Sequence, residues 1–78
     1  MVNILIACEE SQAICIAFRE RGYNAFSCDI LECSGGHPEW HFKQDVLSVI
    51  PNRGGILETG KKYFLPEGEE WDLMIAHP

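Results

Sequence analysis

The chain has 78 residues, with six Lys and Arg against twelve Asp and Glu, for a net charge of −6. At this length it holds one small core and no second domain. Hydrophobic residues at 46% and charged residues at 23% exclude a disordered tail, a collagen-like chain and, with no long apolar run, a bilayer span.

Val2 to Cys8 is a short apolar run with β-branched members, as expected of a strand buried on both faces of a parallel sheet. Glu9-Glu10-Ser11 breaks it. Ser11 is the expected N-cap of a helix over Gln12 to Arg21. Ala13, Ile14, Ala17 and Phe18 recur at helical spacing and would pack on the sheet. Arg19 and Arg21 suit the negative end of the helix dipole, and Gly22 is the expected stop.

Asn24 to Ile30 reads as a second strand, which completes a βαβ unit. Leu31 to Trp40 reads as loop. His41 to Asp45 is expected to be a very short third strand. Val46 to Ile50 is expected to form one helical turn, stopped by Pro51. Asn52 to Glu70 is expected to be a long loop with room for a hairpin turning near Thr59-Gly60. Trp71 to Ala76 is expected to be another buried strand. The fold class that follows is α/β, a Rossmann-like parallel sheet of three to four strands.

In open parallel sheets, ligands bind beyond the carboxyl ends of the strands. Here those ends are Cys8-Glu9-Glu10-Ser11, Asp29-Ile30, Asp45-Val46 and His77-Pro78. Three of the four carry a carboxylate. Carboxylates accept hydrogen bonds from ribose hydroxyls or an amino group, and they repel phosphate. The first strand-helix turn also lacks the glycine pattern that lets a pyrophosphate approach. The expected ligand is nucleoside-like, uncharged or cationic.

The charge balance bears on partners as well. Nucleic-acid affinity comes largely from cations that neutralise phosphates. The six cations are scattered, with Lys61-Lys62 the one adjacent pair. Any basic surface for nucleic acid is therefore expected on another segment or subunit.

The cysteines are Cys8, Cys15, Cys28 and Cys33. Met1-Val2-Asn3 puts no positive charge ahead of the apolar run, so no secretory signal is expected. Free thiols in the cytoplasm are the expectation. Cys28, Cys33, His37 and His41 are all zinc-ligand types within one segment. Without a tight cysteine pair, the preferred reading is a loop with two solvent-facing histidines, and a zinc site is the alternative.

The segments I-L-I-A-C-E-E-S, A-F-R-E-R-G-Y, S-C-D-I-L, G-G-H-P-E-W-H, Q-D-V-L and W-D-L-M-I-A-H-P occur in this order through nearly the whole chain. Together they resemble the S-adenosylmethionine-dependent DNA methyltransferases. More narrowly, they are similar to the cytosine-methyltransferase-like proteins of phages and prophages. The resemblance implies a partial class I methyltransferase fold with S-adenosylmethionine across the strand ends. It implies that Ala7, Cys8, Glu9 and Ser11 belong to the cofactor loop, with Glu9 near the methionine part. Asp29, with Ile30 beside it, would accept the ribose hydroxyls. Asp45 and Val46 would meet the adenine, and His77-Pro78 would open the fourth strand-end motif. Relatives carry a glycine where Gln12 stands and often a basic residue where Cys15 stands. In relatives the fourth motif continues as Pro-Cys, so this chain is expected to be a cofactor-binding half, inactive alone, with DNA as partner only in an assembled form. A different reading is a small interaction protein. Leu73, Met74 and Ile75 would then offer a sheet edge to a second copy or another protein.

Overall fold

The computed structural model describes residues 1–77. Strand β1 (Asn3–Ala7) is followed by helix α1 (Ala13–Glu20) and strand β2 (Asn24–Asp29). A 3-10 turn (Pro38–Trp40) leads into β3 (His41–Lys43) and α2 (Val46–Asn52). A hairpin of β4 (Gly54–Ile56) and β5 (Lys62–Phe64) comes next, and then β6 (Leu73–Ala76). The main sheet is four-stranded, in the order β3-β2-β1-β6, and every pairing in it is parallel. The α/β class and the Rossmann-like parallel sheet expected from the sequence are both present.

Alternation along the strands builds two cores. Ile4, Ile6 and Ala25 meet Cys15 of α1, with Ile14, Phe18 and Ile75 packed around them. On the other face Leu5, Phe26, Cys28 and Phe42 meet Val49 of α2 and Leu57 of the hairpin loop. Phe26 is the hub of this second core. Its ring stacks on Tyr63 at 4.7 Å, leans on Phe42 at 5.2 Å and meets the edge of Trp71 at 6.1 Å. The hairpin is thus part of the core rather than an excursion from it. Its turn falls where expected, with Gly60 at φ +93° and its N–H donating to the Leu57 carbonyl.

Several boundaries differ from expectation, each for a local reason. Helix α1 begins at Ala13, and Ser11 is not its cap. Gln12 holds the N-cap position in the left-handed region at φ +62°, and its side chain does not cap. The third strand ends at Lys43 because Asp45 turns away to cap α2, its Oδ1 accepting the Leu47 N–H at 2.9 Å. Helix α2 runs through Pro51 to Asn52. Pro51 lies in the last turn, and the residue it leaves without a donor, Leu47, is exposed. Water can satisfy that carbonyl.

The two edges of the main sheet are finished differently. Strand β3 is too short to flank the start of β2, and Arg19 fills the gap. Its Nε donates to the Ala25 carbonyl at 2.7 Å. Its guanidinium lies over Phe26 at 4.8 Å and over Trp40 at 4.6 Å. The outer side of β3 is closed by an antiparallel bridge from Phe42 to Leu57, and Glu58 N–H donates to the His41 carbonyl. At the opposite edge β6 pairs, among the described residues, with β1 alone.

Candidate ligand site at the strand ends

Beyond the carboxyl ends of β1, β2 and β3 lies an open hollow of about 360 Å³, lined by Cys8, Cys28, Asp29, Ile30, Gln44, Asp45 and Val46. Five residues proposed from the sequence meet there: Cys8, Asp29, Ile30, Asp45 and Val46. Ala7, Glu9, Ser11 and His77 do not line it, and Pro78 lies outside the described residues. His77 lies beside Ala7 instead, its N–H donating to the Ala7 carbonyl at 2.9 Å.

Both strand-end aspartates are held by short local bonds. Asp29 Oδ1 accepts the Leu31 N–H and Asp45 Oδ1 accepts the Leu47 N–H, each at 2.9 Å. The second oxygen of each carboxylate has no hydrogen bond among the described residues. Among the described residues no lysine or arginine lines the hollow, so its charge is negative. Cys8 is exposed at its rim, in the left-handed region at φ +60°. The Cys28 thiol is pushed up to about 12, by burial first and then by the charges of Asp29, Cys8 and Asp45. It stays protonated and donates to the Gln44 carbonyl at 3.1 Å. Sequence reasoning missed Cys28 and Gln44 as lining residues. The period of two placed Cys28 on the same face as Phe26, and that signal was available.

Glu9 has a different place from the one the resemblance implies. It is 1% exposed, and its carboxylate accepts the N–H groups of Ile14 at 2.7 Å and Cys15 at 2.9 Å. Both oxygens therefore cap the first turn of α1, where the helix dipole also favours negative charge. In this geometry they are not free to meet a bound ligand.

The segment after β2 is pinned to the sheet. The Gln12 amide donates to the His37 carbonyl at 2.8 Å and accepts the His37 N–H at 3.0 Å. It also donates to Ser27 Oγ at 3.1 Å. Ser34 N–H donates to the Glu10 carbonyl at 2.7 Å. Gly35 passes so close that a Cβ there would lie 2.5 Å from the Ser11 carbonyl oxygen.

The zinc alternative finds no support in this arrangement. Cys28 faces the hollow, and Cys33 is half-buried. His37 stacks on Trp40 at 3.9 Å and pairs with Glu39 at 3.0 Å. His41 is buried, not solvent-facing. Its Nδ1 meets Ser27 Oγ at 2.8 Å and its Nε2 meets the Leu31 carbonyl at 2.9 Å. The carbonyl can only accept, so Nε2 donates to it. Among the described residues no three His, Cys, Asp or Glu are grouped to hold a metal ion.

No helix among the described residues is long and apolar enough to cross a membrane. No family model, curated protein or solved structure matches the chain.

Proposed function

We propose that the chain is a cofactor-binding part of an S-adenosylmethionine-dependent DNA methyltransferase-like protein, with the strand-end hollow holding the nucleoside portion of the cofactor. One observation carries the reading. Two carboxylates at neighbouring strand ends, Asp29 and Asp45, border one hollow, and each keeps an oxygen free. That pair suits the ribose hydroxyls and an exocyclic amine. Ile30 and Val46 supply apolar surface for a base. A volume of about 360 Å³ falls in the range of small-ligand sites, and the lack of a cation argues against a phosphate. The cofactor, when bound, supplies an activated methyl group. Asp29 orients the ribose, Asp45 and Val46 orient the base, and Glu9 keeps the turn after β1 in shape by capping α1. The net charge of −6 argues for a DNA-contacting surface on another segment or subunit.

Calorimetry with S-adenosylmethionine, adenosine and ATP tests this. The first two are expected to bind and ATP to bind more weakly. Asp29→Asn and Asp45→Asn keep a side-chain oxygen for the local bond and remove the charge. Each is expected to weaken binding about tenfold, which is the loss of one charge-assisted hydrogen bond. Absence of binding by all three ligands, with the protein folded, would remove the cofactor role. Tighter binding of ATP than of adenosine would overturn the electrostatic argument.

A further inference from the structure

We propose that the buried His41 is a positioning residue for the strand-end hollow, holding the turn that presents Asp29. The proposal rests on the nucleoside reading of that hollow. It starts from a contrast between the two carboxylates that border it. Asp45 is the N-cap of α2, a helix anchored in the core by the buried Val49. Asp29 ends β2, and residues 30–31 beyond it form neither helix nor strand. Ile30 is 70% exposed and Leu31 is 61% exposed. Neither side chain is buried to fix the turn, so hydrogen bonds must.

Leu31 is held by both of its backbone polar groups. Its N–H donates to Asp29 Oδ1 and its carbonyl accepts from His41 Nε2, each at 2.9 Å. The first bond is local and ties the turn to itself. The second ties the turn to the sheet. The Asp29 carbonyl accepts the Gln44 N–H at 3.1 Å, which fixes the near side of the turn and not the far side. His41 is fully buried, and its Nδ1 lies 2.8 Å from Oγ of Ser27, its partner on β2. The Gln12 amide holds that hydroxyl in turn. The imidazole is thus fixed at both nitrogens.

One oxygen of Asp29 is occupied by Leu31. The direction of the other, the one left for a ribose, follows from where Leu31 sits, and His41 sets that. Asp45 needs no such support because its helix supplies it. Loss of the His41 bond should therefore be felt by a ligand's ribose and not by its base. General damage to the sheet would weaken both.

Adenosine and adenine are titrated into the ¹⁵N-labelled full chain and into His41→Phe and His41→Gln. Phenylalanine fills the volume of the ring without a donor, and the glutamine amide restores an N–H near the place of Nε2. His41→Phe is expected to weaken adenosine about fivefold, as the freed turn must be ordered on binding, and to leave adenine within about twofold. His41→Gln is expected to recover most of the adenosine affinity. Without ligand, ¹⁵N relaxation should show lower backbone order at Ile30 and Leu31 in His41→Phe and near wild-type order in His41→Gln. Thermal melts show which variants are folded. Ser27→Ala keeps the ring and frees its orientation, so it should give the same selective loss in weaker form even if His41→Phe does not fold. Equal losses of adenosine and adenine would overturn the proposal and make His41 a structural residue of β3. Unchanged order at Ile30 and Leu31 in His41→Phe would overturn it whatever the ligands do. Binding of neither ligand by the wild type would overturn the nucleoside reading, and the relaxation data would still decide whether His41 holds the turn.

Discussion

The side-chain amide of Gln12 pairs with the backbone of His37 through two hydrogen bonds, as one strand residue pairs with another. A third bond, to Ser27 Oγ, joins this pair to His41. Gln12→Ala removes all three and leaves the half-buried His37 N–H without its partner, while the His37 carbonyl keeps the Trp40 N–H. The expected cost is about 2–3 kcal/mol, read from chemical denaturation. Faster amide exchange is expected over residues 34–37, with β1 unaffected in relative order. A uniform rise across the chain would show that Gln12 does not clamp this segment in particular.

Gly35 and Gly36 are adjacent, yet they should respond differently to alanine. At Gly35 a Cβ would meet the Ser11 carbonyl oxygen at 2.5 Å and Gln12 Cβ at 2.7 Å. At Gly36 there is open space, and only the φ of +88° opposes a side chain. Gly36→Ala is expected to cost about 1 kcal/mol. Gly35→Ala should cost more, about 2–3 kcal/mol, because the backbone itself must move. Thermal melts of the two variants give the order, and the reverse order would contradict the packing described.

Glu9 serves α1 from outside the helix. Glu9→Gln keeps one acceptor oxygen for the two N–H groups of Ile14 and Cys15, and Glu9→Ala keeps neither. Stability is expected to fall by about 1–2 kcal/mol for Gln and further for Ala. Circular dichroism melts check the order. Equal losses would mean that the carboxylate charge, not the remaining acceptor oxygen, carries the cap.

The thiols should fall into distinct classes. Cys8 is exposed, Cys33 is half-buried, and Cys15 and Cys28 are fully buried. Burial pushes Cys15 and Cys28 up to about 12. Ellman's reagent at pH 8 should therefore take Cys8 first and Cys33 more slowly. Cys15 and Cys28 should react only on unfolding.

The same shifts give a pH dependence. In the unfolded chain these two thiols ionise near 9, and in the folded chain near 12. Between those values the unfolded state holds fewer protons, so stability falls as pH rises. The loss is complete near pH 12 and amounts to roughly 4 kcal/mol per thiol at three pH units. Denaturation midpoints from pH 8 to 10.5 should decline. Cys28→Ala should flatten the slope while lowering stability at pH 8.

Cys8 also reports on the hollow. It lines the same space as Asp29 and Asp45, so a bound nucleoside should shield it. Saturating adenosine is expected to slow alkylation of Cys8 by iodoacetamide several-fold without changing Cys33. An unchanged rate for Cys8 at a concentration that calorimetry shows to be saturating would place the ligand elsewhere.

The sheet was readable because β1 and β2 are apolar on both faces and nothing else suits such short runs. Asp29, Ile30, Asp45 and Val46 followed from the rule that ligands meet strand ends. The start of α1 was not readable. A carboxylate five and six residues ahead of the N–H groups it caps leaves no local pattern, and Ser11 was the more ordinary candidate. His41 escaped for a related reason. Its partners, Ser27 and the Leu31 carbonyl, lie in other elements, so the local sequence, which reads as a loop running into a short strand, gives no sign that His41 is buried. Gln12 stands where the resemblance leads one to expect a glycine, so it reads as an intrusion into the turn. Its role became visible only with the His37 backbone beside it.

Strand β1 is the most deeply buried strand, and its two neighbours reach it from very different distances along the chain. Asn3 meets Asn24 across 21 residues and Asp72 across 69. The first contact forms within a local βαβ unit. The second must close nearly the full length of the chain, with a loop-closure cost that local pairing avoids. Until β6 arrives, the centre of the folded sheet is itself an edge. Folding should therefore be slow for a chain of this size. A partly folded form would display Ile4, Leu5 and Ile6 as an open strand, and that is the species most prone to self-association.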